Sequence, residues 1–243
     1  MFELILLGMG VGLLSGFFGI GGGTMLVPIL LLLGYETKIA IGISIVQMVF
    51  SSIYGSYLNN KKGTLDIAMV TTIGVGGFLG ALSSGWIVAR VSDNFLEIVF
   101  LVFASFALLR LFFKTKEYHE QKEVNKIVLL FIGLVLGAIS MSIGVGGSLL
   151  LVPILVGFLH IPLKKATSAG LFFVVFSSVS GLISHTISGH IDFKSGIIVG
   201  LASLFGVYFG IYLKHKVHVK HQKNLLAVFY FLIVAYLAQR IFL

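Results

Sequence analysis

The chain of 243 residues has no cysteine, which excludes disulfides, thiolate metal sites and thiol catalysis. Proline is almost absent as well: of Pro28, Pro153 and Pro162, the first two stand in the same repeated motif. Charge is scarce, at 11% of residues, where soluble domains carry about 25%. With 58% hydrophobic residues and a mean hydropathy of +1.08, that scarcity describes an integral membrane protein. Carboxylates are missing from the middle of every apolar run. Glu3, Glu36, Asp66, Asp93, Glu97, Glu117, Glu120, Glu123 and Asp192 all fall in loops or at span ends. Their placement argues against a carboxylate proton relay or a charged cation site. No His-Asp-Ser set, zinc motif or pair of acids is present either, so the chain does not read as an enzyme.

A net charge of +8 would suggest nucleic acid as the partner of a soluble protein. Here the Lys and Arg residues sit between apolar runs and instead set orientation in a bilayer, so no nucleic-acid partner is expected. His215, His218 and His221 recur every three residues in "KHKVHVKHQK", but the lysines among them oppose a metal cation. They read as a solvated cytoplasmic loop. No metal or other cofactor is expected.

What the chain does have is long apolar runs, such as "IAIGISIVQMVFSSIYGSYL" and "IAMVTTIGVGGFLGALSSGWIVA". Each is close to the roughly 20 residues that cross a hydrocarbon core as a helix. The first segment has Glu3 in place of a basic start and no A-x-A site before the next span. It is therefore expected to stay on the protein rather than be cleaved as a signal peptide.

The runs are duplicated. Shifting by 125 positions superimposes Ser15, Gly19, Gly21, Gly22 and "LVPIL" 26–30 on Ser140, Gly144, Gly146, Gly147 and "LVPIL" 151–155. One inserted residue later, Ala40, Phe50-Ser51-Ser52, Gly55 and Asp66 match Ala166, Phe176-Ser177-Ser178, Gly181 and Asp192. The first repeat is read as residues 1–113, with a glycine-broken segment at 2–33 and spans at 38–58, 67–89 and 95–113. A polar cytoplasmic linker covers 114–126. The second repeat is 127–243, with a broken segment at 127–159 and spans at 164–187, 193–213 and 224–243.

The broken segments either cross as interrupted helices or re-enter as hairpins. Charge counting separates the two. With both segments re-entrant, one face collects thirteen Lys and Arg, including Lys61, Lys62, Arg110, Lys126, Lys164, Lys165, Lys214 and Lys223. The other face keeps only Lys38, Arg90, Lys194 and Arg240. If every segment crosses, the bias disappears. The expected fold is therefore all-α, with two homologous repeats, each a re-entrant helical hairpin plus three transmembrane helices. Three crossings per repeat invert the second relative to the first, a recurring transporter plan, and leave both termini on the non-cytoplasmic side.

Non-helical backbone at membrane depth must be buried in protein or line a watery cavity. Both glycine turns are thus expected inside, facing each other. The half-helix after each turn starts near Thr24 or Leu149 with unpaired N–H groups, which form an anion site. The proposed ligand set is Gly19, Gly21, Gly22, Gly23 and Thr24 in the first turn, with Gly144, Gly146, Gly147 and Ser148 in the second. Gln47, Ser51 and Ser52 in mid-span join it, as do the repeat mates Ser177 and Ser178. Ser44, Thr167 and Ser168 are further hydroxyls within reach. Each lone hydroxyl has a local alternative, the carbonyl of its own helix. Pro28 fits either an early helical position or one that frees a carbonyl, and both readings stay open. Other glycine spacings, such as Gly8/Gly12/Gly16 and Gly206/Gly210, read as helix contact faces.

The "GFFGIGGGTMLVPIL" start, the "TSAG" of residues 167–170 and the duplicated layout resemble the sulfite exporter TauE/SafE family, also called toluene-sulfonate uptake permeases. The resemblance implies an inner-membrane carrier of small sulfur-containing or organic anions, with Gly19 through Thr24 and Gly144 through Ser148 as the matching motif. The expected function is secondary transport by alternating access; an anion or small-solute channel is the alternative. The expected partners are a small anion, the lipid bilayer and a coupling proton or ion not specified by the residues, as the oligomeric state also is not.

Overall fold

A computed structural model describes residues 1–63, 67–112, 125–157, 159–217 and 219–242. Among them every regular element is a helix. The first half contains α1 (Phe2–Phe18), α2 (Gly23–Leu32), α3 (Thr37–Lys61), α4 (Ile67–Ala81), α5 (Ser84–Arg90) and α6 (Asp93–Phe112). The second contains α7 (Lys126–Ser142), α8 (Ser148–Gly157), α9 (Leu163–Ile187), α10 (Phe193–Lys216) and α11 (Val219–Phe242). Most of the linker, with His218 and the side chains of His215 and His221, lies outside the described residues.

Five stretches are long and apolar enough to cross a bilayer: Thr37–Lys61, Val70–Arg90, Lys165–Ile187, Phe193–Lys214 and Asn224–Phe242. The protein is an all-α, multi-span membrane protein. Helices α1, α2, α7 and α8 are shorter; α2 and α8, at 10 residues each, are about 15 Å long. Local chemistry sets several ends. Asn125 accepts from Ile127 N–H at 2.9 Å to start α7, and Asp192 accepts from Ser195 N–H at 3.1 Å to start α10.

The second expected span of the first half is interrupted where α4 gives way to α5. Ser83 and Ser84 turn their hydroxyls onto the carbonyls of Gly80 and Ala81, both at 2.7 Å. Such local bonds compete with the helix ladder and bend it. Ser184 of α9 repairs the break: its Oγ donates to Leu82 O at 2.6 Å and accepts from Gly85 N–H at 2.9 Å.

Helix contacts come in repeat-related pairs. α1 packs on α10 as α7 packs on α4; α3 on α10 matches α9 on α4; α2 on α3 matches α8 on α9. Across the middle, α3 meets its own counterpart α9, and α6 meets α11. The closest pairs use glycine faces. Gly8, Gly12 and Gly16 lie against Val199, Ser203 and Val207, so α1 and α10 advance in the same direction. Gly133 against Ile73 and Gly137 against Gly77 give α7 and α4 the same relation. Gly196 against Val46 and Gly200 against Phe50 make α3 and α10 co-directional too. α3 and α9 oppose each other, with Gly42 at the His190 carbonyl and Gly55 at Leu171. These two helices are mostly buried, whereas α11 turns most of its surface outward.

Candidate functional site: two glycine turns in contact

α1 ends where Gly19 enters the left-handed region at φ 69°, its N–H donating to Ser15 O at 2.8 Å. Gly21 follows at φ 72° and Gly22 caps α2. The first N–H groups of α2 to find backbone acceptors are those of Met25 and Leu26, which bond Gly22 O at 3.1 and 2.9 Å. Those of Gly23 and Thr24 have no backbone acceptor among the described residues. The second turn repeats the plan: Gly144, Gly146 and Gly147 have φ of 70°, 84° and 75°. Leu150 and Leu151 N–H bond Gly147 O, leaving Ser148 and Leu149 N–H without a backbone acceptor among the described residues. Each half-helix thus presents a partial positive charge at its start.

The two turns touch. A Cβ on Gly23 would overlap the Gly144 carbonyl oxygen, so only glycine allows that approach. Ser44 of α3 donates to the same oxygen at 2.6 Å. Met48 of α3 and Val174 of α9 pack beside the contact. A Cβ on Gly21 would lie 3.6 Å from Met48 Sδ and from Val174 Cγ2, and 3.7 Å from Ser148 Oγ. Gln47 lies directly against Gly22, where a Cβ would come within 2.5 Å of its Nε2. Gln47 is fully buried, and neither its Oε1 nor its Nε2 has a hydrogen-bond partner among the described residues. The hydroxyls of Ser15, Thr24 and Ser148 are buried without partners as well. Burying an amide or hydroxyl unpaired costs about 1–3 kcal/mol each, so any polar group that completed this cluster would be favoured there.

Of the sequence-derived set, Gly19, Gly21, Gly22, Gly23, Thr24, Gln47, Gly144, Gly146, Gly147 and Ser148 are thereby gathered at or around the paired turns. Ser51, Ser52, Ser177 and Ser178 are buried nearby in sequence but bond carbonyls of their own helices at 3.2 to 3.5 Å. The choice left open for Pro28 is resolved: α2 begins at Gly23, so Pro28 lies inside the helix and leaves the Thr24 carbonyl without its helical donor. Sequence reasoning passed over Met48, Val174 and Phe173. Phe173 covers Gly147, at whose Cβ position its Cε1 would be 2.5 Å away. The repeat alignment held the signal, because Met48 and Val174 are mates, as are Gln47 and Phe173.

Both turns are closed from solvent: residues 15–28 and 140–149 are buried throughout. A cavity of about 420 Å³ lies elsewhere, lined by Leu32, Tyr236, Gln239 and Arg240. Beside it Arg240 Nε pairs with Glu97 at 3.1 Å, Thr37 Oγ1 donates to Glu97 Oε1 at 2.7 Å, and Arg240 reaches Leu31 O at 3.4 Å. That ion pair ties the ends of α2, α6 and α11 together.

The sequence profile described as "Sulfite exporter TauE/SafE" matches residues 4–237, which include both turns. The chain belongs to the sulfite exporter TauE/SafE family. A probable membrane transporter protein of Methanocaldococcus jannaschii is 26% identical over 243 residues, covering 92% of this chain and 90% of its own length. The probable membrane transporter protein YunE of Bacillus subtilis is 25% identical, covering 89% of each chain. YdhB of the same organism, named likewise, is 24% identical over 82% of this chain and 84% of its own. No solved structure matches. As a TauE/SafE protein the chain is a membrane transporter of small anions, not an enzyme.

Proposed function

We propose that this TauE/SafE protein is a secondary transporter that carries a small sulfur-containing or organic anion, such as sulfite or a sulfonate, across the inner membrane by alternating access. The anion is held by backbone N–H groups of the two opposed glycine turns. One observation carries the reading. The unpartnered, buried Gln47 amide stands against Gly22, at the N-terminus of α2, where the Gly23 and Thr24 N–H groups also lack backbone acceptors. Amide donors converging on a helix N-terminus in a dry interior suit an oxyanion.

Helix direction supports the hairpin form. α1 and α3 both run alongside α10 in its direction, so the intervening α2 has to bring the chain back to the face it entered. α7 and α9 stand in the same relation to α4, the Ser180–Phe78 and Ser184–Leu82 bonds, at one constant offset, fixing the direction of the second pairing. α3 opposing α9 then favours inversion of one repeat relative to the other. The closed turns speak for a carrier rather than a channel, since a solute there would be shut off from both faces until helices move.

The test is flux of labelled sulfite and ethanesulfonate into proteoliposomes. A carrier gives saturable uptake with counterflow. Gly22→Leu, which drives a side chain into Gln47, and Gly147→Leu, which meets Phe173, should each reduce flux to background while insertion stays intact. Normal flux in both variants would overturn the proposal, and uptake that never saturates and shows no counterflow would replace the carrier with a channel.

A further inference from the structure

The two turns differ in chemistry although they share a backbone plan. Three pairs of repeat mates show it. Ser15 Oγ has no hydrogen-bond partner, whereas its mate Ser140 donates to the Leu136 carbonyl of its own helix. Thr24 Oγ1 is unpartnered, and the matching position in α8 is Leu149, which has no polar atom to satisfy. Gln47 leaves both amide atoms unpartnered, and its mate is Phe173, whose ring lies on Gly147. The hydroxyl that α8 does contribute, Ser148 Oγ, also lacks a partner and lies within reach of the first turn, 3.7 Å from the Cβ position of Gly21.

Unfinished polar atoms therefore collect around the N-terminus of α2, a helix of 10 residues, while the N-terminus of α8 is covered by an aromatic ring. A buried donor or acceptor without a partner destabilises the fold unless something completes it. Both turns leave N–H groups open, but across these three paired positions the unpartnered side-chain atoms belong to the first half alone. We infer that the protein binds one anion per chain, on the first turn alone, with Gln47, Thr24 and Ser148 around it, and that Phe173 makes the second turn a packing partner that holds no anion. This rests on the transport reading above and narrows its two-turn anion site to the first turn: Gln47 becomes the residue that sets specificity, because its amide donates to the anion while its own carbonyl accepts from any hydroxyl or amine the solute carries.

Titration calorimetry on the purified full-length protein, with sulfite and separately with ethanesulfonate, tests the inference. The expected stoichiometry is one anion per chain. Gln47→Glu preserves shape but sets a carboxylate against the anion, and should weaken binding by roughly tenfold or more; Thr24→Val should weaken it by about threefold to tenfold. Ser140→Ala and Phe173→Leu, in the second half, should leave affinity within about threefold. Gel filtration checks folding of each variant, and Ser140→Ala keeps the comparison usable if Phe173→Leu fails to fold. Two anions per chain, unchanged binding in Gln47→Glu, or equal weakening by variants of both halves would each overturn the inference while leaving the transport reading intact. If the wild-type protein binds neither probe, the anion reading itself falls, and the one-site inference with it.

Discussion

Ser44 shows how much a single hydroxyl decides. It sits in mid-helix, where its own helix offers carbonyls at no loop-closure cost, yet it donates at 2.6 Å to Gly144, a residue 100 positions away. The Gly144 carbonyl belongs to a buried, non-helical turn and faces Gly23, so it has no helical donor of its own. Ser44→Ala should lower stability by about 1–3 kcal/mol, the cost of a buried carbonyl left unpaired, read as a lower unfolding temperature in detergent. Ser51, Ser52, Ser177 and Ser178 made the opposite choice and stayed on their own helices. Nothing in the sequence separates these serines from Ser44, because the difference is whether a foreign carbonyl comes within reach. Gln47 was legible, since an amide in the middle of an apolar span needs partners wherever it lands.

Among the elements, the broken helices were legible and the α4–α5 break was not. Glycine clusters at 19–23 and 144–147 stop a helix by local means, through left-handed turns and missing side chains. The stretch "ALSSGWIVA" carries a weaker signal, and residues 67–89 read as one uninterrupted span. What makes the break tolerable is tertiary: the Ser184 hydroxyl serves both the freed Leu82 carbonyl and the freed Gly85 N–H. Ser184→Ala removes both partners at once. Its expected cost exceeds that of Ser44→Ala, and amide exchange at Gly85 should accelerate while exchange in α10, the uninterrupted counterpart of α4 and α5, stays slow. Equal exchange before and after the substitution would show that the break closes without Ser184.

At the scale of the molecule, the absence of cysteine becomes an experimental asset, because any cysteine introduced is the only thiol present. The hairpin arrangement predicts that Glu36→Cys and Lys194→Cys, at exposed positions, react with an impermeant maleimide added outside intact cells. Lys62→Cys and Lys165→Cys, also exposed, should react only after the membrane is opened. Labelling of Glu36→Cys and Lys62→Cys from the same side would defeat the arrangement, since they bracket one span. The interlocked packing, with α1 on α10 and α7 on α4, further means that neither repeat owns its closest helix contact. Expressed alone, residues 1–113 would leave the glycine face of α1 and the polar cluster around Gly22 uncovered, so the halves are expected to fold only together.

Composition, the duplication and the paired breaks were decided by the sequence alone, because each is a local or a counting property: apolar run length, glycine density, the sign of charge between runs. Which faces meet was decided only by the tertiary structure. The contact of Gly23 with the Gly144 carbonyl joins the two halves, while the seat of Gln47 on Gly22 and the cover of Phe173 on Gly147 each set a long helix against the turn of its own half, in two halves that look alike in the sequence. Substitutions such as Gln47 for Phe173 acquire their meaning only once packing sets each side chain against its turn, since burial is what makes an unpartnered amide costly and an aromatic ring inert.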